Sequence, residues 1–325
     1  MKDQTFNVGV DVGGTNIKFG IIDENGKILS QEEERTHAGR GSDAVIATII
    51  RGVDSLLSGS RLRLEQVGSV GLGVPGTADS ESGVVIFAPN IFWRNVEVAR
   101  AIRQAFDVPV YVAQDSRASA WAEYLVGAGK GLRSIASVTL GTGIGCGMVF
   151  DGRIFHGALN TAGEFGHQIV ELDGDMCNCG RRGCLEAHAG GLSIVRQALE
   201  TIDGIGVLLQ KAPADITVHD VFRLALERNA QAAQLTDRVV RYIGMGLVNL
   251  INLNSVELIT FSGGISNAPF ELLLGPLIEF VRNRAYEFVA DKVRICRSDL
   301  GEDAPLIGAA LLCQEASAQV GRPSF

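Results

Sequence analysis

Two short loops carry the groups best suited to holding a phosphate. The run from Phe6 to Asp23 reads as an apolar strand, the turn Gly13-Gly14-Thr15 and a second apolar strand, and the run from Ala136 to Asp151 repeats this outline around Gly141-Thr142-Gly143. A tight hairpin of this kind exposes backbone N–H groups and a hydroxyl, the donors that a phosphate accepts from. One glycine-rich hairpin is a weak signal, but two in one chain point to two halves gripping a single polyphosphate. The first copy also places Asp11 at the end of its leading strand, where a carboxylate suits a hydrated Mg²⁺ beside phosphates. This first copy is not a Walker loop, because the residues after Thr15 continue as a strand instead of opening a helix. Lys18 lies on one face of that strand, either as a phosphate contact or as a solvated lysine.

The second concentration of chemistry is Cys177-Asn178-Cys179-Gly180-Arg181-Arg182-Gly183-Cys184, with His167 ten residues before the first cysteine. In a cytosolic chain such a cluster reads as metal-binding or redox-active, not as a disulfide framework. Three thiolates and one imidazole complete a tetrahedral structural Zn²⁺ site, and the glycines at 180 and 183 let the chain wrap tightly around the ion. The Cys-x-Cys spacing is tighter than that of the usual finger, and buried or redox thiols are the alternative. Cys146, Cys296 and Cys313 sit in apolar settings and read as core residues.

The elements around these groups follow from patterning. A length of 325 residues admits two domains with separate cores. Forty glycines fall mostly at turns between apolar strands, which suits an α/β protein with many tight connections. Strands are expected at 67–74, 84–87, 108–112 and 258–261. Helical periodicity predicts helices over 42–57 (capped by Ser42), from a cap at Asn95 to Phe106, and over 192–201, 218–228, 230–253, 270–289 and 305–319. The expected domains are a small α/β unit over 1–117, joined by a C-terminal helix within 303–325, and a larger α/β unit over 118–302 that carries the cysteine segment. A net charge of −8 without clustered Lys and Arg argues against a nucleic-acid footprint. Residues 1–5 lead straight into a strand, and no apolar run approaches a membrane span, so a cytoplasmic location is expected, without membrane partners.

The loop with Asp11 resembles those of the actin, hexokinase and Hsp70 superfamily. The segment Ala162-Gly163-Glu164-Phe165-Gly166-His167, followed by Cys177-x-Cys179-Gly180-x-x-Gly183-Cys184-x-Glu186, is similar to the signature of the ROK family of repressors and sugar kinases. Along nearly the whole chain the family's order recurs: Val74-Pro75-Gly76, Ala88-Pro89-Asn90, an acidic residue at 115, Ser262-Gly263-Gly264 and Gly308-Ala309-Ala310. The resemblance implies an actin-like ATPase (duplicated ribonuclease H-like) fold with two domains flanking a cleft. It also implies ATP with Mg²⁺, a structural zinc, and a homodimer or homotetramer. Repressors resembling this family carry an additional N-terminal helix-turn-helix, and a first strand at about residue 6 leaves no room for one, so an enzyme is expected.

By the same resemblance Asp115 is the base that takes a proton from a sugar hydroxyl, although an Asp capping the helix that begins at Ser116 is an equally physical reading. Gly76, Asn90, Gln114, Glu164, His167 and Glu186 are implied for the sugar, His167 also joining the zinc set with Cys177, Cys179 and Cys184. Gly13, Gly14, Thr15, Thr142 and Gly143 are implied for the ATP phosphates, with Gly263 and Gly264 near the nucleoside and Asp11 serving the metal. Glucokinases of the family usually show Asn-Asp-Ala-Asn where this chain has Gln114-Asp115-Ser116-Arg117. Gln displaces the amide by roughly 1.5 Å, a C–C step, which is enough to change which sugar fits. The 6-hydroxyl of glucose is the default acceptor, with allose, mannose and N-acetylmannosamine as rivals, and a catalytically weak, sugar-responsive regulator is the alternative from another class.

Overall fold

The computed structural model describes residues 5–60 and 62–319. Strands β1 (Phe6–Val12), β2 (Asn16–Ile22) and β3 (Ile28–Arg35) precede helix α1 (Ser42–Ser60). Then come β4 (Val67–Val74), β5 (Thr77–Asp79), β6 (Val84–Ala88), β7 (Trp93–Val96), α2 (Val98–Phe106), β8 (Val110–Gln114) and α3 (Asp115–Leu125). The middle of the chain adds β9 (Ser134–Leu140), β10 (Ile144–Phe150), β11 (Arg153–Ile154), α4 (Leu185–Ala189), α5 (Gly191–Thr201), α6 (Ile205–Leu209), α7 (Val218–Leu226) and α8 (Ala230–Asn254). The last elements are β12 (Leu258–Ser262), α9 (Leu274–Arg284), α10 (Glu287–Ala290), β13 (Arg294–Arg297), α11 (Ala304–Ala310) and α12 (Leu312–Gln319).

Two compact units result. The first holds the described residues up to Ser137, residues Gly147–Gly163 and those from Ser298 onward; the second holds Val138–Cys146 and Glu164–Arg297. The divisions fall at 137, 146, 163 and 297, whereas residue 117 lies inside the continuous helix α3. The expected C-terminal helix extends past 319, and that end lies outside the described residues.

In the first unit a sheet of order β3-β2-β1-β4-β8 has β1 antiparallel to β2 and parallel to β4, with β4 parallel to β8. Its core packs Val8, Val10 and Phe19 against Val45, Ile49, Val53 and Leu56 of α1. Because β1, β4 and β8 run the same way, their carboxyl ends bring Asp11, Val74 and Gln114 to one edge of the sheet, where parallel α/β proteins place ligands. A second sheet has the order β11-β10-β9-β12-β13, and a small antiparallel sheet pairs β5, β6 and β7.

Several expected elements are displaced, each for a local reason. The Gly41 carbonyl accepts from the Val45 amide, so Ser42 lies within α1 and does not cap it. Asn95, with φ of 50°, lies in β7, and α2 starts after Glu97. The strand expected from 108 begins at Val110, because Pro109 has no amide to give to the ladder and only its carbonyl takes part, accepting the Val70 amide at 2.9 Å. The helix expected over 270–289 is two, α9 and α10, since Ala285 is extended and the Tyr286 amide turns to the Asn252 side chain. The final helix also divides, at Leu311, whose carbonyl accepts the indole N–H of Trp121 at 2.9 Å.

Candidate functional site

In the first unit Asp11 pairs in register with Lys18 across the β1–β2 hairpin and lies beside Gly73 of β4. Burial, then the nearby Asp115 carboxylate, push the Asp11 carboxyl up to about 7; Lys18 opposes this and Asp303 adds to it. Two carboxyl groups at one sheet edge, one of them unwilling to ionise alone, make a donor set that a divalent cation would satisfy. The following turn is braced from behind. Gly13 N–H donates to the Asn16 carbonyl, the Thr36 hydroxyl donates to the Gly13 carbonyl at 2.7 Å, and Thr36 N–H donates to the Thr15 carbonyl. Gly14 and Thr15 remain exposed, and the Gly14 backbone runs alongside exposed Asn90. Lys18 is part-exposed and has an acidic partner: its Nζ lies 3.4 Å from the Glu302 carbonyl and 3.9 Å from the Asp303 carboxylate.

Asp115 is the first residue of α3, and its Oδ1 accepts the Ser116 amide at 2.6 Å; the N-cap position belongs to Gln114, so the capping alternative is corrected to this nearer contact. The helix start is seated by close backbone approaches. A side chain at Gly147 would fall 2.2 Å from the Ser116 carbonyl, and one at Gly308 would fall 1.8 Å from that of Ala118. Gln114 is 9% exposed and its Oε1 is buried with no hydrogen-bond partner among the described residues. A buried acceptor left unpaired is costly unless a ligand serves it. Gly76, with φ of 82°, leaves β4 for β5 against the Phe87 carbonyl.

In the second unit the loop Gly141-Thr142-Gly143 is fixed by the α4–α5 junction. Gly191 N–H donates to the Gly141 carbonyl at 2.9 Å, and Leu192 N–H to that of Thr142 at 3.3 Å. Glu186 of α4 reaches the same loop: its Oε2 accepts the Ile144 amide at 2.8 Å, an approach open only because Gly143 has no side chain. Gly263 follows β12 against the backbone of Leu140, so Thr142, Gly143, Gly263 and Gly264 gather at the ends of β9 and β12.

Glu164 and His167 flank one turn of 3₁₀ helix anchored by buried Phe165, which packs against Gly246 of α8. His167 faces two ways. Its Nε2 lies 3.8 Å from Glu164 Oε2, and its Nδ1 lies 3.8 Å from Cys177 Sγ. The ligand atoms of His167, Cys177, Cys179 and Cys184 all fall within 4.8 Å of one another, with Cys179 and Cys184 sulfurs 3.7 Å apart. Four ligands around zinc, with Zn–S near 2.3 Å, stand about 3.8 Å apart, so the spacing fits. Burial and the neighbouring thiols push Cys184 up to about 12, and three thiolates need a cation to coexist there. A knuckle holds the set: Cys177 N–H donates to the Arg181 carbonyl and Gly180 N–H to that of Cys177.

Residue types alone did not single out Thr36, Asp303 or Arg117, which brace the site; only the run Glu302-Asp303 before Gly308-Ala309-Ala310 offered a signal.

The model of the ROK family matches residues 7–316. A glucokinase of Halalkalibacterium halodurans is 34% identical over 320 residues, covering 97% of this chain and 96% of that protein. A ROK family glucokinase from Streptomyces griseus, solved with glucose and AMPPNP, is 32% identical, with a TM-score of 0.81 over 94% of this chain and 98% of that one. A ROK family transcriptional regulator, a homolog of the E. coli MLC protein, superposes with a TM-score of 0.84 at 25% identity; the match covers 96% of this chain and 78% of the regulator.

Proposed function

The chain belongs to the ROK family and has its actin-like ATPase fold, and on that premise we propose that it is an ATP-dependent hexose kinase, acting on the 6-hydroxyl of glucose or a close relative. The observation that carries this reading is the meeting of Asp11 and Asp115 at the carboxyl ends of β1 and β8, beside the braced turn 13–15. Phosphoryl transfer asks little covalent chemistry of a protein; it needs positioning, charge neutralisation and a base for the hydroxyl proton.

Asp115 is the base, and its carboxylate is kept at a fixed height by the seated first turn of α3. Asp11 holds Mg²⁺, which when bound neutralises the phosphates. The N–H groups of Gly13, Gly14 and Thr15, with those of Thr142 and Gly143, bind the phosphate oxygens, and Gly263 and Gly264 border the nucleoside. Asn90, Gln114, Glu164, His167, Glu186 and the backbone of Gly76 hold the sugar hydroxyls. His167, Cys177, Cys179 and Cys184 would hold Zn²⁺, which would fix the imidazole, leaving the ring nitrogen near Glu164 to meet the sugar together with that carboxylate. The glucose and AMPPNP bound to the Streptomyces griseus enzyme support a sugar and an adenine nucleotide as the ligands.

Allose, mannose and N-acetylmannosamine are the rival acceptors; a putative N-acetylmannosamine kinase from Listeria monocytogenes shares the fold. A weakly catalytic, sugar-responsive regulator is the second reading, favoured by the likeness to the MLC homolog. Assembly as a homodimer or homotetramer in the cytoplasm belongs to the same proposal; among the described residues no helix is long and apolar enough to cross a membrane.

Asp115→Asn tests the assignment. General-base catalysis contributes about 10²–10⁴-fold, so turnover should fall by that factor while ATP binding, measured by calorimetry, survives. Near-normal turnover in this variant would remove Asp115 from the chemistry.

A further inference from the structure

Arg117 stands two residues after Asp115 and is 2% exposed. A guanidinium stays charged at any depth and is costly to bury unless its N–H groups are met. Its Nη2 donates to the carbonyls of Asn160 at 2.8 Å and Ala162 at 2.9 Å, and its Nη1 lies 3.4 Å from His156 Nδ1. His156 is held in turn, with Nε2 at 3.2 Å from Glu315 Oε1, which also accepts the Ile154 amide at 3.1 Å. Glu315 is buried on α12. A charged chain of contacts therefore runs from the last described helix, through the segment after β11, to the first turn of α3, all within the first unit.

The carbonyls that Arg117 holds belong to the residues just before Gly163, where the chain leaves the first unit for Glu164 and His167. The same segment is pinned on its other side: Asn160, in a left-handed conformation with φ of 55°, donates its amide to Asp79 Oδ1 at 3.1 Å. Arg117 thus ties the helix that begins with Asp115 to the segment that leads into Glu164.

We propose that Arg117, supported by His156 and Glu315, is a positioning residue for sugar capture. The inference rests on the kinase reading above. If the 156–163 segment is ordered only part of the time, apparent sugar affinity falls by the ordered fraction, while ATP, held by the loops at 13–15 and 141–143, is spared. Hydrogen bonds from a charged donor are worth roughly ten- to a hundredfold in such an equilibrium.

The test compares Arg117→Met, Arg117→Lys and Glu315→Gln in the full chain, reading sugar KM, ATP KM, kcat and amide hydrogen exchange over 156–163. Arg117→Met should raise sugar KM roughly tenfold or more, leave ATP KM within about twofold, and speed exchange at the amides of Asn160 and Ala162, which are bonded within the segment to Gly157 and His156. Arg117→Lys should recover part of the loss, since an ammonium can serve one carbonyl. Glu315→Gln keeps an acceptor oxygen and should give a smaller shift in the same direction; these two variants carry the comparison if Arg117→Met does not fold. Unchanged exchange over 156–163, or an equal rise in both KM values, overturns the inference. Should the wild type phosphorylate no hexose, the kinase reading fails instead, and the exchange rates still decide whether Arg117 orders the segment.

Discussion

The two glycine and threonine hairpins share a frame and differ in the residue two places before the turn. In the first unit that residue is Asp11, a buried carboxyl facing Asp115. Its counterpart in the second unit is Thr139, whose hydroxyl lies 3.3 Å from that of Ser262. The bracing differs as well: Thr36 at the end of β3 ties down the first loop, while the second is tied by a helix junction and by Glu186, which arrives from 42 residues away. Both loops offer a glycine-threonine turn, and a carboxylate stands two places before it only in the first. The sites are also held by different physics, hydrogen-bonded strands in the first unit and a thiol knuckle in the second.

The largest expected effect exploits that last difference. If the proposed zinc is bound, a chelator should disorder the segment carrying Glu164 and His167 and abolish sugar binding, because thiolate coordination would contribute directly to local folding, while the sheet of the first unit stays intact. Freshly purified, active protein that contains no zinc would reject the assignment.

Asp11→Asn removes the residue that distinguishes the first loop. Turnover should fall by roughly 10²–10³-fold, as for loss of one preorganised electrostatic group. Stability should move the other way. A carboxyl whose pKa is raised on folding favours the folded state at low pH, and that contribution disappears as pH rises from about 4 through about 7. At pH 8 the wild type therefore carries a penalty, on the order of 4 kcal/mol, that the Asn variant lacks. Thermal unfolding should show the variant more stable above pH 7 and no more stable than wild type near pH 4; a gain that is the same at both values would mean Asp11 ionises freely.

Much of this asymmetry could be read from residue types. The paired loops, the strand at 67–74 and the cysteine knuckle follow from apolar runs broken by glycine, and the structure places them so. The bracing could not be read that way, since it depends on residues remote in the chain: Thr36 behind Gly13, Glu186 on Ile144, Asp303 beside Lys18, and Arg117 on the 160–162 carbonyls. Local periodicity likewise ran the last helix through Leu311, where a tertiary hydrogen bond from Trp121 breaks it.

The smallest expected effect concerns Gln114. Its buried oxygen, unpaired among the described residues, is the group the proposed sugar contact would serve, and a pocket fitted to one hydroxyl pattern rejects an epimer by leaving polar groups unserved. Gln114→Asn should shift the ratio of kcat/KM values toward glucose. If the wild type already prefers glucose over every epimer and the substitution only damages it, Gln114 does not set selectivity.

The most direct measurement is ADP release by the wild-type chain with ATP and Mg²⁺ across glucose, allose, mannose and N-acetylmannosamine, with sugar phosphate measured in parallel. A hexose kinase releases ADP in step with sugar phosphate for at least one of these sugars and far more slowly without any. Sugar binding with no ADP release above the sugar-free rate, for every sugar tested, would contradict the kinase assignment and favour the sugar-responsive regulator.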